Sequence, residues 1–160
     1  MNDSQHAMAS NSKIRMTDLQ VGDQLISTHW IVISQSNIED FAKATGDFQW
    51  IHLDKQKCAT SSPFKTTIAH GFLTSSLVPS QFEELVHLEP EKQTLINYGV
   101  DKIRFLEPVR SGDSIKFKFE LTRIDDKPAG ALYSFDVTTM IKNREKPALV
   151  GTFLLMLLNN

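Results

Sequence analysis

Ile115, Phe117, Phe119 and Leu121 alternate with Lys116, Lys118, Glu120 and Thr122, and this period of two constrains the fold more than any other feature of the chain. Such alternation predicts a strand with one face in a core and the other in water. Tyr133, Phe135, Val137, Thr139 and Ile141 repeat the pattern, and the turn residues between 125 and 130 join the two as a hairpin. Residues 149–158 are apolar on both faces, as in a central strand, and residues 95–105 supply a further strand. A sheet with one apolar face needs a cover. Residues 68–78 offer it: Ile68, Ala69, Phe72, Leu73, Leu77 and Val78, with small residues between, predict a helix buried on nearly every side. Thr66 or Thr67 is placed to cap it, and Pro79 to end or kink it. Ser80 and Glu83 have capping-box spacing, which predicts a second helical piece to about Val86.

The first half is less regular. A β-leaning run covers residues 30–33 after a Gly22-Asp23 turn. Ser36 precedes Glu39 by the capping-box spacing, Ile38, Phe41 and Ala42 fall at helical spacing, and Gly46 stands where a glycine ends a helix. Residues 53–67 read as irregular. Strands that follow helices in a block favour an α+β fold with an antiparallel sheet, wrapped around one long helix.

Bulk properties exclude several function classes. The 160 residues are 41% apolar and 22% charged, ordinary values for one globular domain, and the net charge of −2 gives no footing for nucleic acid or an acidic membrane. A lone cysteine, Cys58, excludes an intrachain disulfide framework and fits a reducing compartment. Residues 1–13 lack the apolar core of a secretory signal and read as a disordered tail ahead of a single domain over 14–160. No run approaches the ~18 apolar residues of a membrane span. The expectation is a soluble, cytoplasmic protein.

Two places carry possible chemistry. Asp47 and His52 lie five residues apart just beyond the first helix, a carboxylate and an imidazole that can bind and deprotonate water. Such a pair also fits an ordinary turn. His70-Gly71 opens the buried helix, where backbone N–H groups without helical partners can hold an oxygen that gains charge. Gly71 can equally serve close packing. His52, Asp54 and His70 match no zinc spacing, so no metal is expected. GxGxxG, P-loop and GxSxG patterns are missing, which removes support for phosphate-cradling loops and serine-hydrolase chemistry.

The segment Phe41-Ala42-Lys43-Ala44-Thr45-Gly46-Asp47-Phe48-Gln49-Trp50-Ile51-His52-Leu53-Asp54 resembles the hydratase signature of the MaoC-like dehydratase family. Ile68-Ala69-His70-Gly71-Phe72-Leu73 resembles that family's next block, and the stretch from Lys102 to Asp113 its third. The resemblance implies a hot-dog fold, a curved antiparallel sheet around a long central helix. It implies a hydro-lyase acting on acyl thioesters, the type reaction being (R)-specific hydration of trans-2-enoyl-CoA. Asp47 and His52 become the catalytic pair and the Gly71 N–H the oxyanion donor, with His70, Gln49, Trp50 and Phe72 facing the substrate. No cofactor is implied beyond the CoA or acyl-carrier protein that carries the substrate. A homodimer or higher homo-oligomer is implied as well. Gln49-Trp50 stands where many hydratases have Asn-Pro, as in the branch named for nodulation protein N, whose substrate is less clear. Non-catalytic acyl-thioester binding and thioesterase activity are the alternatives.

Overall fold

The computed structural model describes residues 13–160, so the expected tail falls, but for its last residue, outside the described residues. In chain order the elements are β1 (Ile14–Arg15), a 3-10 turn at Met16–Asp18, β2 (Gln24–Ile26), β3 (Ile31–Val32), α1 (Gln35–Thr45), α2 (Trp50–Leu53), α3 (Lys55–Ser61), α4 (Gly71–Ser76), α5 (Val78–Glu83), β4 (Val86–His87), β5 (Gln93–Phe105), β6 (Ser114–Lys127), β7 (Gly130–Ile141) and β8 (Leu149–Asn159). The main sheet has the order β2-β6-β7-β8-β5, with β3 also pairing to β6, and its ladders are antiparallel. β1 and β4 form a separate parallel pair.

The predicted alternation becomes register. Ile115, Phe117, Phe119 and Leu121 are buried, while their neighbours Lys116, Lys118 and Glu120 are only partly covered. β8 lies between β7 and β5, and its Leu149, Phe153, Leu155 and Leu157 enter the core. The cover is α4 and α5, whose Leu73, Val78 and Phe82 join the same core cluster. The Phe82 ring sits 4.6 Å from that of Phe135 and 5.3 Å from that of Phe119, tilted or edge-on as aromatic quadrupoles favour. The result is the expected hot-dog arrangement, an α+β fold with the antiparallel sheet packed on a central helical segment.

Several local expectations are corrected. The central helix begins at Gly71 rather than Ile68, because Ile68 pairs with Arg110 as an isolated antiparallel bridge and the Ala69 N–H donates to the Val109 carbonyl. Its N-cap is His70, not Thr66 or Thr67. The helix breaks at Leu77, and Pro79 occupies the first turn of α5, where its missing N–H costs nothing. Ser80 is therefore inside α5, donating back to the Leu77 carbonyl, and Val86 has already entered a strand. The first helix starts two residues early. Ser34 caps it, and Asn37 does the reciprocal work expected of Glu39. Residues 53–67 are not wholly irregular, since Asp54 caps α3 by accepting from the Lys57 N–H.

Candidate active site

α1 ends because Gly46 adopts φ 78°, a left-handed conformation that L side chains resist, and its N–H closes on the Ala42 carbonyl. The chain then leaves the helix axis and presents Asp47. One Asp47 oxygen, Oδ1, accepts from the Gln49 N–H at 3.3 Å, a local turn that sets the carboxylate ahead of α2. The single helical turn of α2 carries His52 inward, so Asp47 keeps a side chain 53% exposed while His52 is only 6% exposed.

His52 is held from two sides. Its Nδ1 lies 2.7 Å from the Ile68 carbonyl oxygen, which can only accept, so the proton resides on Nδ1 and Nε2 keeps a free lone pair. Its own carbonyl accepts from Gln35 Nε2 at 2.9 Å, and Gln35 Oε1 accepts from Thr67 Oγ1 at 2.6 Å. Gln35 thus ties α1, α2 and the strand-like segment at residues 67–69 into one frame. The His52 pKa is lowered from its ordinary 6.5, first by burial and then by His70, against the Ile68 hydrogen bond and Asp47, which raise it.

His70 completes the cluster. It is 3% exposed, its ring stacks on His52 at 3.7 Å between centroids, and Phe41 packs against it at 5.0 Å. Its Nε2 donates to the Asp47 backbone carbonyl at 3.0 Å and lies 3.9 Å from Asp47 Oδ2. One donor atom each from Asp47, His52 and His70 fall within 4.8 Å of one another. Each imidazole gives one nitrogen to a backbone carbonyl, which leaves one nitrogen apiece, and the two rings stack at 26°.

Gly71 lies beside this cluster. Among the described residues its N–H meets no acceptor, as expected for the first residue of a helix. The missing side chain has a packing cause: a Cβ here would come within 2.8 Å of the Phe105 ring. Phe72 is 66% exposed and meets Phe105 edge-on at 5.5 Å. Behind Gly71 opens a half-enclosed cavity of about 250 Å³, lined by Ile68, Ala69, Thr74, Phe105 and Val109 among others. Neither Asp47 nor His52 lines it; Gly71 is the residue it shares with the cluster.

Asp47, His52, His70 and Gly71, chosen from sequence, are thus brought together. Phe72 borders them, and Gln49 contributes its backbone. The Trp50 ring lies under Lys57 Nζ at 4.5 Å and, like Asp47 and His52, does not line the cavity. Gln35, Thr67 and Phe105 were not anticipated as site residues.

The model of a MaoC like domain matches residues 18–139. The chain belongs to this family. The MaoC-like chain is 36% identical over 136 residues to nodulation protein N of Rhizobium leguminosarum bv. viciae, covering 84% of each. It is 37% identical over 131 residues to 3-hydroxyacyl-thioester dehydratase Z of Mycobacterium tuberculosis H37Rv, covering 81% of this chain and 85% of that one. An R-hydratase from Pseudomonas aeruginosa, unliganded, superposes with a TM-score of 0.73 over 92% of this chain and 90% of that one. At 24% identity that likeness speaks for the fold alone.

Proposed function

We propose that this protein is a hydro-lyase acting on acyl thioesters, catalysing the reversible, (R)-specific hydration of trans-2-enoyl-CoA. The observation that carries the reading is the buried, Nδ1-protonated His52 beside the exposed Asp47 carboxylate, with the unpaired Gly71 N–H next to them. The relative named as a 3-hydroxyacyl-thioester dehydratase supports the same class of chemistry.

In the forward direction water is held between Asp47 and His52 Nε2. Its oxygen bonds to Cβ of the enoyl group, one O–H bond breaks, and the proton passes to the pair. The Cα=Cβ π electrons shift toward the thioester, and the Gly71 N–H receives the charge gathering on the carbonyl oxygen. The proton then returns from the pair to Cα, which restores both side chains. Atoms and charge balance with water alone, so the chemistry requires no redox or metal cofactor. General acid–base help contributes typically ~10² to 10⁴-fold and one oxyanion donor about 10² to 10³-fold. The apolar cavity behind Gly71, lined in part by Phe105, is suited to the acyl chain.

β5 is an edge strand of 13 residues with exposed Ile96, Tyr98 and Val100, a surface that a second copy would cover. We place the working form as a cytoplasmic homodimer. Among the described residues no helix is long and apolar enough to cross a membrane.

Product analysis tests the reading. Incubation with crotonyl-CoA should give 3-hydroxybutyryl-CoA of (R) configuration and no free thiol. Release of free thiol would identify a thioesterase instead, and saturable binding without turnover a non-catalytic binder, the alternative that Gln49-Trp50 in place of Asn-Pro motivates.

A further inference from the structure

The proposed reaction uses Asp47, His52 and Gly71, and leaves unexplained a second buried imidazole pressed against the first. His70 is in van der Waals contact with the His52 ring, donates to the Asp47 main chain, and is 3% exposed. Its Nδ1 has no hydrogen-bond partner among the described residues. A buried polar atom without a partner costs about 1–3 kcal/mol. An apolar ring would fill the same space against Phe41 and His52 without that cost, but would give up the bond to Asp47.

We propose, resting on the hydro-lyase reading, that His70 is a positioning residue acting on both members of the pair at once: its Nε2–H fixes Asp47 through the backbone carbonyl, and its face fixes the orientation of the His52 ring. The 3.0 Å bond to the Asp47 carbonyl anchors a segment that α1 releases at Gly46 and that otherwise has only its local turn. The stack keeps the His52 ring plane fixed while Ile68 fixes its tautomer.

Two titratable groups face His52. Those are Asp47, from the segment after α1, and His70, ahead of α4; Gln35 and Thr67 around them are uncharged. Asp47 favours protonated His52, whereas burial and His70 disfavour it, and the balance leaves the pKa below its ordinary value. A proton on either stacked ring opposes one on the other. His52 therefore enters the reaction with its Nε2 lone pair free.

His70→Gln and His70→Asn separate the two contacts. Glutamine places an amide N–H where Nε2–H stands and keeps the bond to Asp47, but has no ring. Asparagine is too short for that bond. The ring nitrogens of His52 are followed by ¹⁵N NMR through a pH titration of the unliganded full chain, beside steady-state kinetics on crotonyl-CoA. Both variants should shift the His52 titration upward. Turnover should fall on the order of 10²-fold in His70→Asn, the loss expected when a catalytic group is displaced by about 1 Å. His70→Gln should recover a large part of it, with KM little changed in either. An unmoved His52 titration in both variants would overturn the proposal, and so would wild-type kcat in His70→Asn. The NMR arm needs no turnover, so it decides the question even if crotonyl-CoA proves inert and the hydro-lyase reading fails.

Discussion

Exchanging the Asp47 carboxylate for an amide, Asp47→Asn, removes a charge from an exposed side chain whose single local hydrogen bond the amide oxygen can keep. Thermal stability should stay within about 0.5 kcal/mol, as for surface substitutions, while turnover falls by roughly 10² to 10⁴-fold. His52→Ala should lose turnover to a similar degree and also stability, because the Ile68 carbonyl and the His70 ring lose a buried partner. The pH behaviour has a definite sign. His52 resists protonation when folded, so below pH 6.5 the unfolded chain takes up a proton that the native chain does not. This contribution to stability is lost as pH falls from 6.5 toward the lowered native value, and is level above 6.5. The acid limb of kcat/KM should accordingly lie below 6.5, and denaturant melts at stepped pH read the stability side. Asp47 and His52 were legible in the sequence because their chemistry and spacing are local. Their support was not. His70 meets Asp47 only because the fold joins residues 23 apart, and Gln35 reaches across 17 to the His52 carbonyl and 32 to Thr67. A glutamine in the first turn of a helix carries no signal of such a role.

Elements were predicted well where one face is buried and poorly where ends are set by competing side chains. The alternation in β6 and β7 could place residues only one way, since a slip by one residue would turn Phe117 and Phe119 outward. The start of α1 was ambiguous, because Ser34 and Ser36 lie two apart and Asn37 serves as well as a glutamate in the reciprocal bond. Ser34→Ala should therefore cost about 1 kcal/mol while Ser36→Ala costs little, a difference that denaturant midpoints resolve. The break between α4 and α5 follows Pro79, yet the late start at Gly71 depends on strand-like pairing of Ile68 and Ala69 with the loop after β5, which no local pattern announces. α3 was missed because Cys58 is its one buried residue, too little for a helical stripe. Between elements, Gly71 and Phe105 make a coupled pair. Gly71→Ala forces its new methyl into the Phe105 ring and should cost about 1–3 kcal/mol. Phe105→Ala should relieve much of that cost, and a double-mutant cycle on melting free energies should show strong coupling.

At the scale of the molecule, one sheet face is filled by α4 and α5 and one edge is left to β5. Light scattering should give twice the mass of 18.1 kDa, and Tyr98→Lys with Val100→Lys on β5 should shift the population toward monomer. Because the cluster at Asp47, His52 and His70 is complete within one chain, the His52 titration should survive that separation. The Asp47–His52 pair is proposed to hydrate an enoyl thioester. The most direct test of this is the decay of conjugated enoyl absorbance when crotonyl-CoA, and medium-chain enoyl thioesters on CoA and acyl-carrier protein, meet wild type, Asp47→Asn and His52→Ala. Catalysed decay is expected with wild type, and a loss of about 10²-fold or more in each variant. Wild type no faster than the two variants on every substrate would contradict it.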